Sequence, residues 1–182
     1  EGGVGPGSPF VVLSPMSFAG ETRLWEDDRF ASLGDRIARE LGQPVVLTGH
    51  ESGGRIERIA AAMETRALNL EGRTTLKELA HIYRRASVVV TPDSGPMHIA
   101  ASVGTPTIGL FGPGEEQIWF PYDSGAGHRA LRKDVPCHPC HLDFCNRTGG
   151  DYMECMTLLT VDEVTSAVLA ALHRSRDTRP CM

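Results

Sequence analysis

The chain of 182 residues is 41% hydrophobic and 23% charged, the balance of an ordinary soluble domain with room for a sizeable core. Its net charge of −5 argues against wholesale nucleic-acid binding, and the absence of any run of about 18 apolar residues excludes a membrane-spanning helix. No basic flank leads into an apolar stretch near Glu1, so no signal peptide is expected. Residues 1–8 hold four glycines and a proline, a linker composition. Residues 10–14 read as a first strand, followed by a long loop over 14–25. Asp27 or Asp28 is placed to cap a helix whose Phe30, Leu33, Ile37 and Leu41 share one face, with Gly42 as its stop. Residues 44–48 form a second strand, 49–54 its loop, and Ile56, Ile59, Ala60 and Met63 the stripe of the next helix. A short strand over 68–70 precedes Thr75-Leu-Lys-Glu78, whose spacing is that of a capping box. That box opens a helix with Leu76, Leu79, Ile82 and Tyr83 facing inward.

The stretch over 87–113 organises the rest. Residues 87–91 are a β-branched run suited to burial on both faces of a parallel sheet. Pro92 should turn the chain, because proline donates nothing to a central ladder. Asp93 and Ser94 suit an N-cap, Pro96 a first helical turn, Gly104 a stop, and residues 107–111 a fifth strand. Strands alternating with helices of about ten residues predict an α/β fold, Rossmann-like, with an open parallel sheet of about five to six strands and helices on both faces. Ligands then sit beyond the carboxyl ends of the strands, at loops 14–25, 49–54, 72–75, 92–97 and 112–117. After Pro121 the pattern turns irregular. Thr160-Val-Asp-Glu163 is a second capping box, opening a final helix over 161–174 that carries Val161, Val164, Val168 and Leu172 on one face. Residues 175–182 read as a tail, leaving 9–174 as one ligand-binding domain, with the Cys-rich segment 137–155 inside it.

Asp93-Ser-Gly-Pro-Met-His98 lies where the amides of a helix start point outward. A pyrophosphate there would gain the helix-end partial charge and hydrogen bonds from Gly95 and Met97, with the Ser94 hydroxyl adding a donor. Asp93 would repel phosphate and suits a sugar hydroxyl beside it. The plainer reading, that Asp93 and Ser94 only cap the helix, has roughly even odds on N-cap preference alone. Arg23 in the first loop can reach the phosphate from the opposite side, and Glu51 after the second strand can bind a ribose diol. His98 reads as a structural histidine near a helix start. No G-x-G-x-x-G follows the first strand, which counts against a dinucleotide oxidoreductase. Cys137, Cys140, Cys145 and Cys155 could supply four thiolates to zinc or iron, with His138 and His141 as further donors; free thiols are slightly favoured, and disulfides are not expected.

Asp93-Ser-Gly-Pro-Met-His-Ile-Ala-Ala, followed by Gly104-Thr-Pro-Thr and Leu110-Phe-Gly-Pro113, resembles the ADP-heptose:lipopolysaccharide heptosyltransferases (glycosyltransferase family 9). Arg23-Leu-Trp25, Gly72-Arg-Thr-Thr-Leu76, the cysteine-rich segment and Met156-Thr-Leu-Leu-Thr-Val-Asp-Glu-Val164 extend the likeness over nearly the whole chain. The resemblance implies the C-terminal, donor-binding half of a two-domain GT-B enzyme, inverting, cytoplasmic and peripheral to the inner membrane. By carry-over Asp93 contacts the heptose, and Ser94, Gly95 and Met97, with His98 alongside, frame the diphosphate. Arg23 and Ser17 hold phosphate, while Gly49, Glu51, Thr74 and Thr75 frame the nucleoside. Arg23 stands where the family usually has lysine. The catalytic base and the site for the lipopolysaccharide-core acceptor belong to an N-terminal domain with no counterpart here, and no cofactor is required. The alternatives are another GT-B nucleotide-sugar enzyme (a UDP-sugar epimerase or transferase) and a non-catalytic nucleotide-binding module.

Overall fold

A computed structural model describes residues 5, 7–50, 53–121 and 127–177. Six strands form one parallel sheet: β1 (Val11–Leu13), β2 (Val45–Leu47), β3 (Leu68–Asn69), β4 (Val88–Pro92), β5 (Thr107–Phe111) and β6 (Arg129–Arg132). Their order is β3-β2-β1-β4-β5-β6, so the direction of winding reverses between β1 and β4. In open α/β sheets that reversal opens a crevice at the carboxyl edge, and both flanking strands end there.

The four inner strands β2, β1, β4 and β5 are buried on both faces, and their alternate residues divide the core in two. Val11 and Leu13 join Val45, Leu47, Val88, Val90, Ile108 and Leu110 beneath α1 (Asp27–Glu40), α2 (Arg55–Ala62) and the last helix, α7 (Val161–Asp177). Phe10 and Val12 join Val46 and Val89 beneath α3 (Leu76–Arg85) and α4 (Gly95–Ser102). Short helices α5 (Glu116–Trp119) and α6 (Glu154–Thr157) follow β5 and precede α7. Trp25 ties the first loop to the opening of α7: it is fully buried, its Nε1 donates to the Leu159 carbonyl at 2.8 Å, and it meets Phe30 edge to face.

Both capping boxes form, at Thr75 with Glu78 and at Thr160 with Glu163. Five expectations are corrected. Pro92 remains in strand: β1 pairs with β4 only as far as Val90, so beyond that point the proline lacks nothing on that side, while β5 still pairs with it at Leu110. The cap of α1 is Glu26 with no side-chain cap bond, and Asp27 is already helical and paired with Arg55. Leu76 is 70% exposed because the first turn of α3 overhangs the sheet edge. Beyond Pro121 the chain returns to the sheet as β6, whose Arg-Ala-Leu-Arg lacks the apolar run of an inner strand because it lies at the sheet margin. The last helix reaches Asp177, three residues into the expected tail, and 178–182 lie outside the described residues.

Candidate functional site

Beyond the carboxyl ends of β1, β2 and β4 lies a cavity of about 380 Å³. Ser14, Met16 and Phe18 of the β1–α1 loop wall one side, Gly49 and His50 the next, and Thr74, Thr75 and Leu76 a third. Gly95, Pro96 and Ile99 of α4 close it, with Leu79 and Tyr83 of α3 beneath. Gly49 leaves room there for Ile56, since a Cβ would lie 2.3 Å from Ile56 Cδ1 and displace it. Tyr83 is fully buried, with its hydroxyl 3.1 Å from Thr48 Oγ1; burial raises the phenol above its ordinary value, so it stays a neutral hydroxyl. Phe18 is 75% exposed, so with Leu76 it gives the cavity an apolar rim. A pocket with apolar walls and a few polar groups at its edge suits a flat heteroaromatic ring.

Asp93 stands beside this cavity as an ion-pair partner. Its Oδ2 accepts from Arg23 Nε at 3.2 Å, and the two side chains are only 11% and 14% exposed. Its backbone carbonyl accepts from Ser17 Oγ at 3.4 Å, and Ser17 is buried. Gly114 crowds the carboxylate: a Cβ there would lie 2.4 Å from Asp93 Oδ2. Ser94 caps α4 by position, but its side chain makes no cap bond and reaches back to the Pro92 carbonyl and Thr91 Oγ1. The plainer capping reading therefore describes neither side chain. The pairing also solves a physical difficulty, because a buried carboxylate at a sheet edge is stable only against a matching charge.

Of the residues predicted for the site, Gly49, Thr74, Thr75 and Gly95 line the cavity. Ser17, Arg23, Asp93 and Ser94 gather at its β4 side. Thr75 spends its hydroxyl on the capping box. Met97 is buried in the core, against the space a Cβ on Gly109 would need, and its N–H is given to the Ser94 carbonyl. His98 is exposed and does not line the cavity. Glu51 lies outside the described residues. Sequence reasoning left out Phe18, Tyr83 and Ile99, which look like core residues by spacing, and Asp143, which is distant in the chain. Asp143 Oδ1 approaches Arg23 Nη1 at 3.5 Å.

The four cysteines of 137–155 are free thiols around one small cavity of about 30 Å³. Burial first, and then the neighbouring sulfurs of Cys137, Cys140 and Cys145, push the Cys155 thiol up to about 11. Among the described residues no group of three or more His, Cys, Asp or Glu is arranged to hold a metal ion. His138 spends both ring nitrogens elsewhere, with Nδ1 at 3.0 Å from the Gly112 carbonyl and Nε2 at 3.2 Å from Glu116. No helix is long and apolar enough to cross a membrane among the described residues.

Comparison with known proteins shows the family of the chain. The sequence model of glycosyltransferase family 9 (heptosyltransferase) matches residues 4–147. The chain is 28% identical over 170 residues to lipopolysaccharide heptosyltransferase 2 of Escherichia coli K12, a match covering 85% of this chain and 48% of that protein. The solved structure of the E. coli ADP-heptose lipopolysaccharide heptosyltransferase II superposes with a TM-score of 0.76 at 24% identity, covering 94% of this chain and 49% of that one. The dodecameric iron-containing heptosyltransferase TibC, solved in complex with ADP-D-beta-D-heptose, superposes with a TM-score of 0.68 at 20% identity, covering 92% and 46%. The chain spans about half the length of these relatives.

Proposed function

Because the chain belongs to glycosyltransferase family 9, we propose that it is the donor-binding half of an inverting enzyme that transfers heptose to the lipopolysaccharide core. The observation that carries the reading is the buried Arg23–Asp93 pair beside the start of α4, next to an apolar-walled cavity. The cavity takes the adenine and its ribose. The start of α4 and Arg23 take the diphosphate, where amide dipoles and a guanidinium favour an anion. Asp93 accepts from hydroxyls of the sugar just beyond. ADP-heptose is the donor class, as in the TibC complex. Purine size suits the cavity, and the wall of Phe18, Leu76 and Leu79 offers stacking rather than a hydrogen-bonding edge.

In the complete enzyme a base outside this chain takes the proton of the acceptor hydroxyl. The freed oxygen bonds to the anomeric carbon from the face opposite the diphosphate, and the bond to the diphosphate oxygen breaks with its electron pair. ADP leaves carrying that negative charge. The groups of this chain act on the leaving side: Arg23 and the amides of α4 stabilise charge that is greater in the transition state than in the bound donor. The isolated chain therefore binds the donor and does not transfer it. Its place is the cytoplasmic side of the inner membrane, where nucleotide sugar and lipid acceptor meet.

The test is calorimetry and thermal unfolding of the 182-residue chain with ADP and UDP. Saturating ADP should raise the unfolding temperature by several degrees, following the linkage of ligand to folding, and UDP by clearly less. A larger shift with UDP would support a UDP-sugar enzyme instead, and no shift with either would remove the nucleotide reading. The cysteine cluster enters as free thiols. Zinc or iron on Cys137, Cys140, Cys145 and Cys155 is the competing assignment. Elemental analysis of protein purified without chelator or histidine tag decides, with no stoichiometric metal expected.

A further inference from the structure

The segment from Cys137 to Cys145 is a strap anchored on either side of the Arg23–Asp93 pair. At one end His138 holds the Gly112 carbonyl and Glu116, and the N–H groups of Cys140 and His141 both donate to the Pro113 carbonyl. These bonds secure the turn whose Gly114 walls the Asp93 carboxylate. At the other end the Leu142 carbonyl accepts from Thr22 Oγ1 at 2.5 Å, next to Arg23 in sequence. Gly20 presses on the strap itself, since a Cβ there would lie 2.7 Å from Asp143 Cα. The main chain of Asp143 is thus fixed against the first loop, while its carboxylate, 66% exposed, reaches Arg23 Nη1.

Arg23 is flanked by two carboxylates that are not equivalent. Asp93 is enclosed, closer and walled by Gly114. Asp143 is exposed and, at 3.5 Å, loosely held. An incoming anion that needs the guanidinium displaces the exposed partner, because an exposed pair contributes little and the freed carboxylate is rehydrated at once. We propose that Asp143 competes with the diphosphate for Arg23, sharing Nη1 with the Ala19 carbonyl and giving the guanidinium up to the donor. This rests on the diphosphate reading above. It assigns to the cysteine-rich strap a part in setting donor affinity, separate from any metal.

The test is ADP affinity by calorimetry for the unaltered chain, Asp143→Asn, Arg23→Gln and the double variant, at low and high salt. Removing the competing carboxylate should tighten ADP binding about twofold to fivefold, the range of an exposed ion pair. With Gln at position 23 the same change should give less than half that gain, since no guanidinium remains to be released. Asp143→Ser, which has no carboxylate either, should behave as Asp143→Asn, and melting curves confirm that each variant folds. Unchanged or weaker ADP binding by both folded Asp143 variants overturns the proposal, and so does an equal gain with and without Arg23. If the unaltered chain binds no ADP, the nucleotide reading itself falls and the competition with it.

Discussion

Under the proposed function, Arg23 and Asp93 form a pair that is structural and functional at once. Each is expensive to bury alone, so each specifies the other's position before any ligand arrives. Their roles separate by substitution. Arg23→Ala should weaken ADP at least about tenfold, the loss of one charge-assisted contact. Asp93→Asn should leave ADP within about threefold, a change of under 1 kcal/mol, but should erase the additional affinity of an ADP-sugar over ADP. Calorimetry with the two ligands measures both. Gly114→Ala tests the same carboxylate from outside. Its methyl group would occupy the space held by Asp93 Oδ2 at 2.4 Å, so sugar-dependent affinity should fall as in Asp93→Asn. An ADP-sugar that still gains over ADP in Asp93→Asn would remove the carboxylate from the sugar contact.

At the scale of elements, the two capping boxes were legible from four residues each, because the reciprocal bonds need only a fixed spacing. Thr160→Ala should cost about 1 kcal/mol, the usual worth of an N-cap, seen as a fall of a few degrees in unfolding temperature. Glu163 in that box is also pH-sensitive. The Lys133 ammonium, then the Thr160 N–H, hold its carboxyl down at about 2. A carboxyl depressed in the folded state lends its stability fully above the unfolded value, near 4.3, and loses it as the pH falls from there towards 2. Lys133→Met should flatten that part of the acid limb, read as the urea midpoint against pH, by lowering the midpoint at neutral pH while leaving it nearly unchanged where Glu163 is protonated in both states. An acid limb of unaltered slope would remove Lys133 from the cause. By contrast β6 was not legible, since an edge strand of alternating charge and apolar residues carries no inner-strand signal.

At the scale of the molecule, the point where the winding reverses decides where the chemistry gathers. β1 and β4 are neighbours in the sheet although α1, β2, α2, β3 and α3 intervene, and their loops deliver Arg23 and Asp93 to one place. The chain spans about half the length of the relatives it matches, and under the proposed function it supplies one wall of a two-domain site. Supplying this chain with an ADP-heptose donor and a lipid-A-core acceptor should therefore give no transfer by product analysis. Turnover would show that the base lies within these 182 residues.

The α/β class, the parallel sheet, the two boxed helices and the strand–helix–strand order over 87–113 were determined by the sequence alone. They depend on period, β-branched runs and spacing, which are local. The family likeness rested on ordered motifs of the same kind. Only the tertiary structure decided that Asp93 pairs with Arg23 instead of capping α4, that Leu76 faces the cavity mouth, and that Met97 lies in the core. It alone brought Asp143 across 120 residues to the same guanidinium. Those outcomes depend on where a burial cost is met and by which charge, and sequence separation carries no record of that distance. The stretch over 87–113 is accordingly the floor of the site, while the geometry of its charge is set by the first loop and the strap.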